Sequence, residues 1–256
     1  MGLTIDGGTK NAYLDALMRS VAVSARKLSD MSCILEDAAG AHYVSFHLPT
    51  DISVIGGVAV MTGEFTSSQA FTAHDFMLSS YITGGTVSTA GGGGNMIIDN
   101  LSVEVGVTQN YTMSLKIPND AGGTLKFNDA LCTAWAKAIA LGWTPCAMGY
   151  TGATITFYGG TQPDTAGGAT SESALCSVTL TSGSFSAAAA GVSTLSAPIS
   201  FTAYYGGADP TWFRLQQGAN IIDGSVGPTG ASADLIFNWT SSSSASIDSF
   251  NLTFNP

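Results

Sequence analysis

The chain has 256 residues, only 10% of them charged, and a formal net charge of −10 at pH 7. With eight basic residues, neutralising a phosphate backbone is a poor prospect, so the composition argues against nucleic-acid binding. Ordinary soluble domains carry about 25% charged residues. A surface this poor in charge suits a protein that neighbouring subunits cover in an assembly. The alternative is a secreted or halophilic β-protein whose surface is polar but uncharged.

The first predicted element is an amphipathic helix over residues 10–30, where Leu14, Leu17 and Val21 recur near helical spacing. Its basic residues are Lys10, Arg19, Arg26 and Lys27. Short β-rich segments bounded by Pro or Gly follow. They cover residues 42–46, 52–55, 58–61, 76–83, 95–99 and 111–117.

A Pro-Asn-Asp-Ala-Gly-Gly break at residues 118–123 separates these segments from a second predicted helix, over residues 128–141. Leu131, Trp135 and Ile139 lie in its apolar stripe, and Gly142 stands where a C-terminal cap belongs. Predicted strands then cover residues 154–158, 174–180, 198–205, 211–215, 234–239 and 249–254. The Asp223-Gly224 pair predicts a hairpin turn.

Two segments of the chain share a pattern of apolar residues, an Asn and a final Pro. Residues 97–118 align without a gap on residues 235–256, a constant shift of 138 positions that superposes Asn100 on Asn238 and Pro118 on Pro256. Asp-Ala-Leu occurs in both predicted helices, at residues 15–17 and 129–131. This repetition predicts two related domains, residues 1–120 and 121–256. The predicted fold class is mainly β, with two tandem antiparallel β-sandwich or jelly-roll-like domains, each preceded by a short amphipathic helix.

We expect no secretion signal, no membrane-spanning segment and no metal centre. The N-terminal sequence lacks a basic region followed by an apolar run, and no apolar run reaches the roughly 18 residues that span a bilayer. The four cysteines have no CxxC spacing, so we expect buried thiols and no metal centre. A Cys132–Cys146 bridge stays open, because it would tie the second helix to the strand after it.

A catalytic constellation is not predicted either. The three histidines, His42, His47 and His74, all lie in the first half, and neither Gly-x-Ser-x-Gly nor His-Glu-x-x-His occurs. Asp residues of the second half lie in or beside predicted turns, where their side chains bond to the backbone. A calcium site built from them stays open, although no known ligand series matches. We expect no enzymatic activity and no cofactor.

A series of motifs runs through residues 124–256. A strand ending in Tyr158-Gly-Gly-Thr-x-Pro163 is followed by Trp212-Phe-Arg-Leu215, by Asp223-Gly224 and by a final strand that ends in Pro256. In this order after a helix, the motifs resemble a class of small virion structural proteins of tailed bacteriophages and their prophages. The first half resembles the class only in its helix and last strand, since His47-Leu-Pro-Thr50 replaces the Tyr-Gly-Gly-Thr-x-Pro motif.

Together with the composition, the resemblance implies a non-enzymatic head decoration (cement) protein of a virion assembled in the host cytoplasm. The implied partners are the major capsid protein or other virion proteins, with the chain itself oligomeric or bound in a lattice. The alternatives are a tail or neck component, such as a tail-tube or adaptor-like protein, and a carbohydrate-binding surface module whose Trp residues stack on sugars. The candidate interface residues are Arg19, Arg26, Lys27, Trp212, Arg214 and Trp239.

Overall fold

A computed structural model of the chain describes residues 4–5, 11, 14–15, 32–49, 52–55, 57–78, 82–84, 96–98, 102–116, 119, 124–141, 152–181, 183–190, 192–203 and 206–253. This part of the chain is mainly β, as predicted. Its first-half strands are β1 (Thr4–Ile5), β2 (Ser32–Glu36), β3 (His42–His47), β4 (Ser53–Ile55), β5 (Val58–Thr66), β6 (Phe71–Thr72), β7 (Asp75–Leu78), β8 (Ile82–Gly84), β9 (Met96–Ile98), β10 (Ser102–Val103) and β11 (Thr108–Lys116).

The second half holds one long helix and the remaining strands. They are β12 (Lys126–Phe127), α1 (Asp129–Leu141), β13 (Thr154–Tyr158), β14 (Ala174–Thr179), β15 (Val192–Thr194), β16 (Ile199–Thr202), β17 (Trp212–Gln217), β18 (Asn220–Gly227), β19 (Leu235–Ser241) and β20 (Ser244–Thr253).

The first half builds two main antiparallel sheets, ordered β1-β8-β7-β2-β3 and β4-β5-β11-β9, and β6 pairs with β10. Aromatic side chains join the two main sheets. The ring of Phe46 on β3 stacks on Phe65 of β5 at a centroid distance of 5.0 Å and lies 4.7 Å from the ring of Tyr111 on β11. Alternate residues of β5 and β11 are buried, because successive side chains of a strand point to opposite faces.

The second half builds a single larger sheet, ordered β14-β13-β17-β18-β19-β20-β15, with β12 on β18 and β16 on β20. Its ladders are antiparallel except for β18–β19, where Val226 and Leu235 pair in parallel. Phe157, Phe213 and Phe250 fill its core with no more than 1% exposure. Every ladder between described strands stays within residues 4–116 or within residues 126–253. Whether the halves fold as separate domains stays a prediction.

The helix α1 contacts both halves. It packs on β18 of its own half and on β4 and β5 of the other, where the Gly57 amide donates to Thr133 Oγ1 at 3.0 Å. Leu131, Cys132 and Ala136 are fully buried on it. A helix is thus present at residues 129–141, where one was predicted over residues 128–141, and it contacts both halves of the chain.

Of the predicted first helix, most of residues 10–30 lies outside the described residues. Asn11, Leu14 and Asp15 are helical there, and Leu14 is fully buried. Asp15 Oδ1 accepts a 2.7 Å bond from the Ala188 amide, so this N-terminal segment contacts the second half.

Two local predictions were wrong. The predicted strand at residues 76–83 is a pair of antiparallel strands, β7 and β8. Asp223-Gly224 is not a hairpin turn, since it lies inside β18, and the turn between β17 and β18 is Gly218-Ala219. Gly224 serves close packing instead: a Cβ there would lie 2.7 Å from Phe213 Cε1.

The proposed repeat has a mixed counterpart in the ladders. In the first half, Tyr111 pairs with Ile98. In the second half, Ser249 pairs with Ile236, which is the same register after the shift of 138 positions. The buried faces differ, however. Tyr111 is buried on β11, whereas the buried residue on β20 is Phe250, the neighbour of the corresponding Ser249. The gapless alignment thus equates residues on opposite faces of a strand, and the duplication stays a prediction.

Asn128 is the N-cap of α1 and also ties the helix to β18. Its Oδ1 accepts bonds from the amides of Leu131 (3.0 Å) and Ile221 (3.1 Å), and its Nδ2 donates to Ala219 O at 2.7 Å. We expect Asn128→Ala to lower the free energy of unfolding by about 1–2 kcal/mol, because the cap is lost and the Ile221 amide loses an acceptor. Urea unfolding measures this, with exposed Asn110→Ala as the control; equal stability of the two variants would contradict the capping role.

The turn between β2 and β3 depends on an ionised carboxylate. Asp37 accepts hydrogen bonds from the amides of Ala41 (3.1 Å) and Ala39 (2.8 Å) and from the Tyr43 hydroxyl (3.0 Å). These bonds, led by that from Ala41, hold the pKa of Asp37 below its ordinary value. Because the folded pKa is the lower one, the stabilisation is complete above the unfolded pKa and is lost as the pH falls through the folded pKa.

We therefore expect Asp37→Asn to be less stable than the parent chain at pH 7 and to lose less stability as the pH falls below about 4. Thermal unfolding measured from pH 7 to pH 3 tests this. Asp209→Asn, a change of an exposed aspartate in the loop before β17, is the control. Parallel pH profiles for the parent and Asp37→Asn would refute the expectation.

Candidate functional site

The most distinctive feature of the second half is a long loop, residues 159–173, between β13 and β14. It contains no helix or strand. Loops of this length without secondary structure are uncommon in compact domains and are usually functional or disordered. Here side chains from three strands hold the loop in place, so its shape is specified.

A buried ion pair forms the centre of these contacts. Arg214 on β17 and Asp223 on β18 are cross-strand partners, with Arg214 Nε 2.8 Å from Asp223 Oδ1 and Arg214 Nη2 2.7 Å from Asp223 Oδ2. The Asp223 side chain is fully buried, and that of Arg214 is 13% exposed. This two-pronged geometry is the strong form of an Arg–carboxylate pair. The hydrogen bond to Asp223 raises the pKa of Arg214, so the guanidinium remains charged.

The same pair grips the loop through its backbone. Arg214 Nη2 donates to Gly168 O at 3.0 Å, and the Gly167 amide donates to Asp223 Oδ2 at 3.1 Å. Gly168 has no room for a side chain, because a Cβ there would lie 2.9 Å from Thr165 O. The ion pair therefore satisfies its own charges and two polar groups of the loop backbone.

An aromatic stack fixes the start of the loop. The rings of Tyr158 and Trp212 are stacked at a centroid distance of 4.2 Å and an interplanar angle of 11°. The Arg214 guanidinium carbon lies 5.4 Å from the Trp212 ring centroid, within cation–π range. Trp212 Nε1 donates to Gly159 O at 3.1 Å, and Thr211 Oγ1 donates to Gly160 O at 2.7 Å.

Contacts from the start of the second half hold the middle of the loop. Lys126 Nζ donates to Pro163 O at 3.0 Å, and Gln162 Nε2 donates to Thr124 O at 2.8 Å. Three of the four sequence motifs that carry the resemblance thus meet at one place, through Tyr158-Gly-Gly-Thr-x-Pro163, Trp212, Arg214 and Asp223. In this structure they build and hold a loop.

The loop separates two hollows. One, of about 630 Å³, lies between the loop and the start of α1 and is lined by Lys126, Asn128 and Asp129 among others. The other, of about 480 Å³, lies within the loop. Asp164 and Thr165 line both hollows, and both side chains are exposed. These two residues form the crest of the loop.

The candidate interface residues lie in different settings. Trp212 is 1% exposed, so its ring offers almost no area to a partner or a sugar. Arg214 is held by Asp223. Trp239 is half-buried, packs edge-on against Phe237 and lines a cavity of about 200 Å³. Arg19, Arg26 and Lys27 lie outside the described residues. The expected partner contacts of all six residues stay predictions. The sequence analysis did not single out the crest as a contact surface, because its short polar residues carry no distinctive pattern.

Two contacts bring a histidine close to a hydroxyl or to a carboxylate. Ser32 Oγ lies 3.1 Å from His47 Nδ1 across β2 and β3, and His74 Nδ1 lies 2.8 Å from Asp75 Oδ2. Both pairs are solvent-accessible contacts between residues that are neighbours in a ladder or in sequence. Within the described residues, no three His, Cys, Asp or Glu side chains come together as a metal site. None of the helical segments described is long and apolar enough to span a membrane.

Two of the three described cysteines fit the expectation of buried thiols, and the third is half-buried. Cys33 and Cys132 are fully buried, and burial raises the pKa of the Cys33 thiol far above its ordinary value. Cys176 on β14 is a free, half-buried thiol. Cys146 lies outside the described residues, so a Cys132–Cys146 bridge stays open.

The chain matches no protein-family profile, no curated protein and no solved structure.

The buried ion pair leads to a double-mutant prediction. Arg214→Met leaves the Asp223 carboxylate buried without its counter-ion, so we expect a loss of about 3–5 kcal/mol in the free energy of unfolding. Arg214→Met combined with Asp223→Leu removes both charges and should cost less than Arg214→Met alone. Urea unfolding of the single and double variants measures the coupling. Gln216→Met, an exposed change on the same strand, is the control, and additive costs would contradict the pairing.

Proposed function

We propose that this chain is a non-enzymatic structural protein of a bacteriophage virion and acts as a head decoration (cement) protein. The observation that carries the proposal is the convergence of three of the four phage-like motifs on loop 159–173. A catalytic site at this loop would need side chains that are free to react. The side chains buried there instead hold backbone, and the crest is left as a shaped surface for contact.

The charge pattern supports a protein partner. Arg214 is the only Lys or Arg between residues 138 and 256, and its charge is satisfied by Asp223. The exposed charged side chains described in this stretch are therefore acidic: Asp164, Glu172, Asp209 and Asp248. An acidic surface with few charges complements a neutral or weakly basic partner and has little charge to desolvate. The basic residues of segment 10–30 would complement an acidic region of the same lattice.

The proposed mechanism is mechanical. Two tandem sandwich-like units would give one chain two contact faces, and the clamped loop would supply a rigid face on the second unit. Little conformational entropy is lost on binding when a loop is already held in shape. Each contact could then be weak, because many copies bound to one shell hold it together through avidity.

Electron microscopy of particles assembled with and without the protein tests the proposal. We expect additional density at regular sites on the shell and greater resistance of the decorated shell to heat. Density confined to the tail or neck would refute the decoration role and favour the alternative assignment to those structures.

A variant links the test to the loop. Asp164→Lys combined with Glu172→Lys reverses the charge of the loop surface, and we expect it to reduce shell occupancy several-fold without changing the unfolding temperature. Asp209→Lys combined with Glu104→Lys places the same charge change on exposed residues outside the loop and is the control. Equal occupancy of the two variants would exclude the loop as the contact.

A further inference from the structure

The sheet of the second half ends in an edge strand, β14, that lacks two of the usual protections against pairing, charge and proline, and whose β-bulge lies near its start, at Leu175. Among the described residues, β14 is hydrogen-bonded to β13 alone. Its sequence, Ala-Leu-Cys-Ser-Val-Thr, contains no charged residue and no proline. Natural edge strands are usually blunted by charges, proline or short length. The regular, uncharged part of this edge, residues 176–179, is therefore a place where another strand can add.

The hydrogen bonds to β13 determine which backbone groups face outward. Leu180 N donates to Ala153 O at 2.7 Å, and Leu180 O accepts from the Gly152 amide. In an antiparallel pair, alternate residues direct their N–H and C=O groups to the same neighbour. Val178 and Cys176 therefore bond to β13, and the N–H and C=O groups of Ser177 point away from it.

The core-facing side chains of β14 are incompletely covered. Val178 and Cys176 lie opposite Ile155 and Phe157, which are fully buried. Both are only half-buried themselves, and burial raises the pKa of Cys176 to about 11. Ser177 is exposed on the opposite face. A strand beyond β14 would cover the core-facing side chains and bond to the outward backbone groups.

We propose that this strand is β14 of a second copy, paired antiparallel about a two-fold axis at Ser177. Adjacent pairs in an antiparallel ladder alternate between hydrogen-bonded and non-hydrogen-bonded types, so a two-fold axis can pass only through a residue that opposes itself. Ser177 has the outward N–H and C=O groups that such a self-pair requires. Cys176 then opposes Val178, and the two sheets continue across the dimer.

The absence of charge makes β14 compatible with pairing to a second copy of itself. Self-pairing brings identical residues together, so a charged residue near the axis would repel its own mate. Residues 174–179 contain none. The nearest carboxylate, Glu172, is five positions from the axis, which separates it from its mate by roughly 33 Å of strand, well beyond a Debye length. The pairing is independent of the proposed virion role.

Introducing a charge at the axis tests the proposal. Sedimentation of the wild-type chain at micromolar concentrations should show a dimer. Ser177→Lys and Ser177→Glu each place two like charges face to face, so each variant alone should sediment as a monomer. Mixing the two variants should restore the dimer, because Lys then opposes Glu. Thr240→Lys, an exposed change on an interior strand, is the control and should leave the dimer intact.

The mixing step separates loss of pairing from loss of folding, because an unfolded variant cannot be rescued by its partner. Alkylation of Cys176 is a second readout, and it should be slower in the wild-type dimer and in the mixture than in either variant alone. A monomeric wild-type chain, a dimeric Ser177→Lys variant or a mixture that stays monomeric would each overturn the proposal.

Discussion

The second half of this protein depends on one buried ion pair. Arg214 and Asp223 satisfy each other across β17–β18 and bind the backbone of Gly167 and Gly168. Without Arg214, the Asp223 carboxylate would be buried without a counter-ion and Gly168 O would lose its bond to the sheet. The same guanidinium lies against the ring of Trp212, which stacks on Tyr158. Position, charge and packing of the loop are therefore coupled through one side chain.

The ion pair also determines the sign of the charges left on the surface of the second half. The only cation after residue 138 is used inside the fold, so the surface of this region is polar, uncharged or acidic. Such a surface is costly for a free monomer in terms of solubility but inexpensive to cover. An uncharged edge strand and a loop held in shape are the features that support the proposed role in contacts with neighbours.

Sequence reasoning succeeded where local patterns decide structure. The strand at residues 154–158 and the helix at residues 129–141 follow from alternation and from helical periodicity, and both were predicted to within a residue or so. It failed at Asp223-Gly224, because these two residues have turn propensity in isolation. Arg214 neutralises the aspartate and Phe213 occupies the space above the glycine. A partner from a different strand overrode the local preference.

The sequence by itself determined the mainly β character, the uncharged composition and the second helix, since these depend on residue type and spacing along the chain. The tertiary structure decided the meeting of the distant motifs, the sharing of α1 between the halves and the position of β14 at an edge. These depend on which strands pair, and pairing is set by long-range packing that periodicity does not encode. The two aligned segments illustrate this difference. Their strands pair in the same register after the shift of 138 positions, but the fold buries opposite faces of β11 and β20.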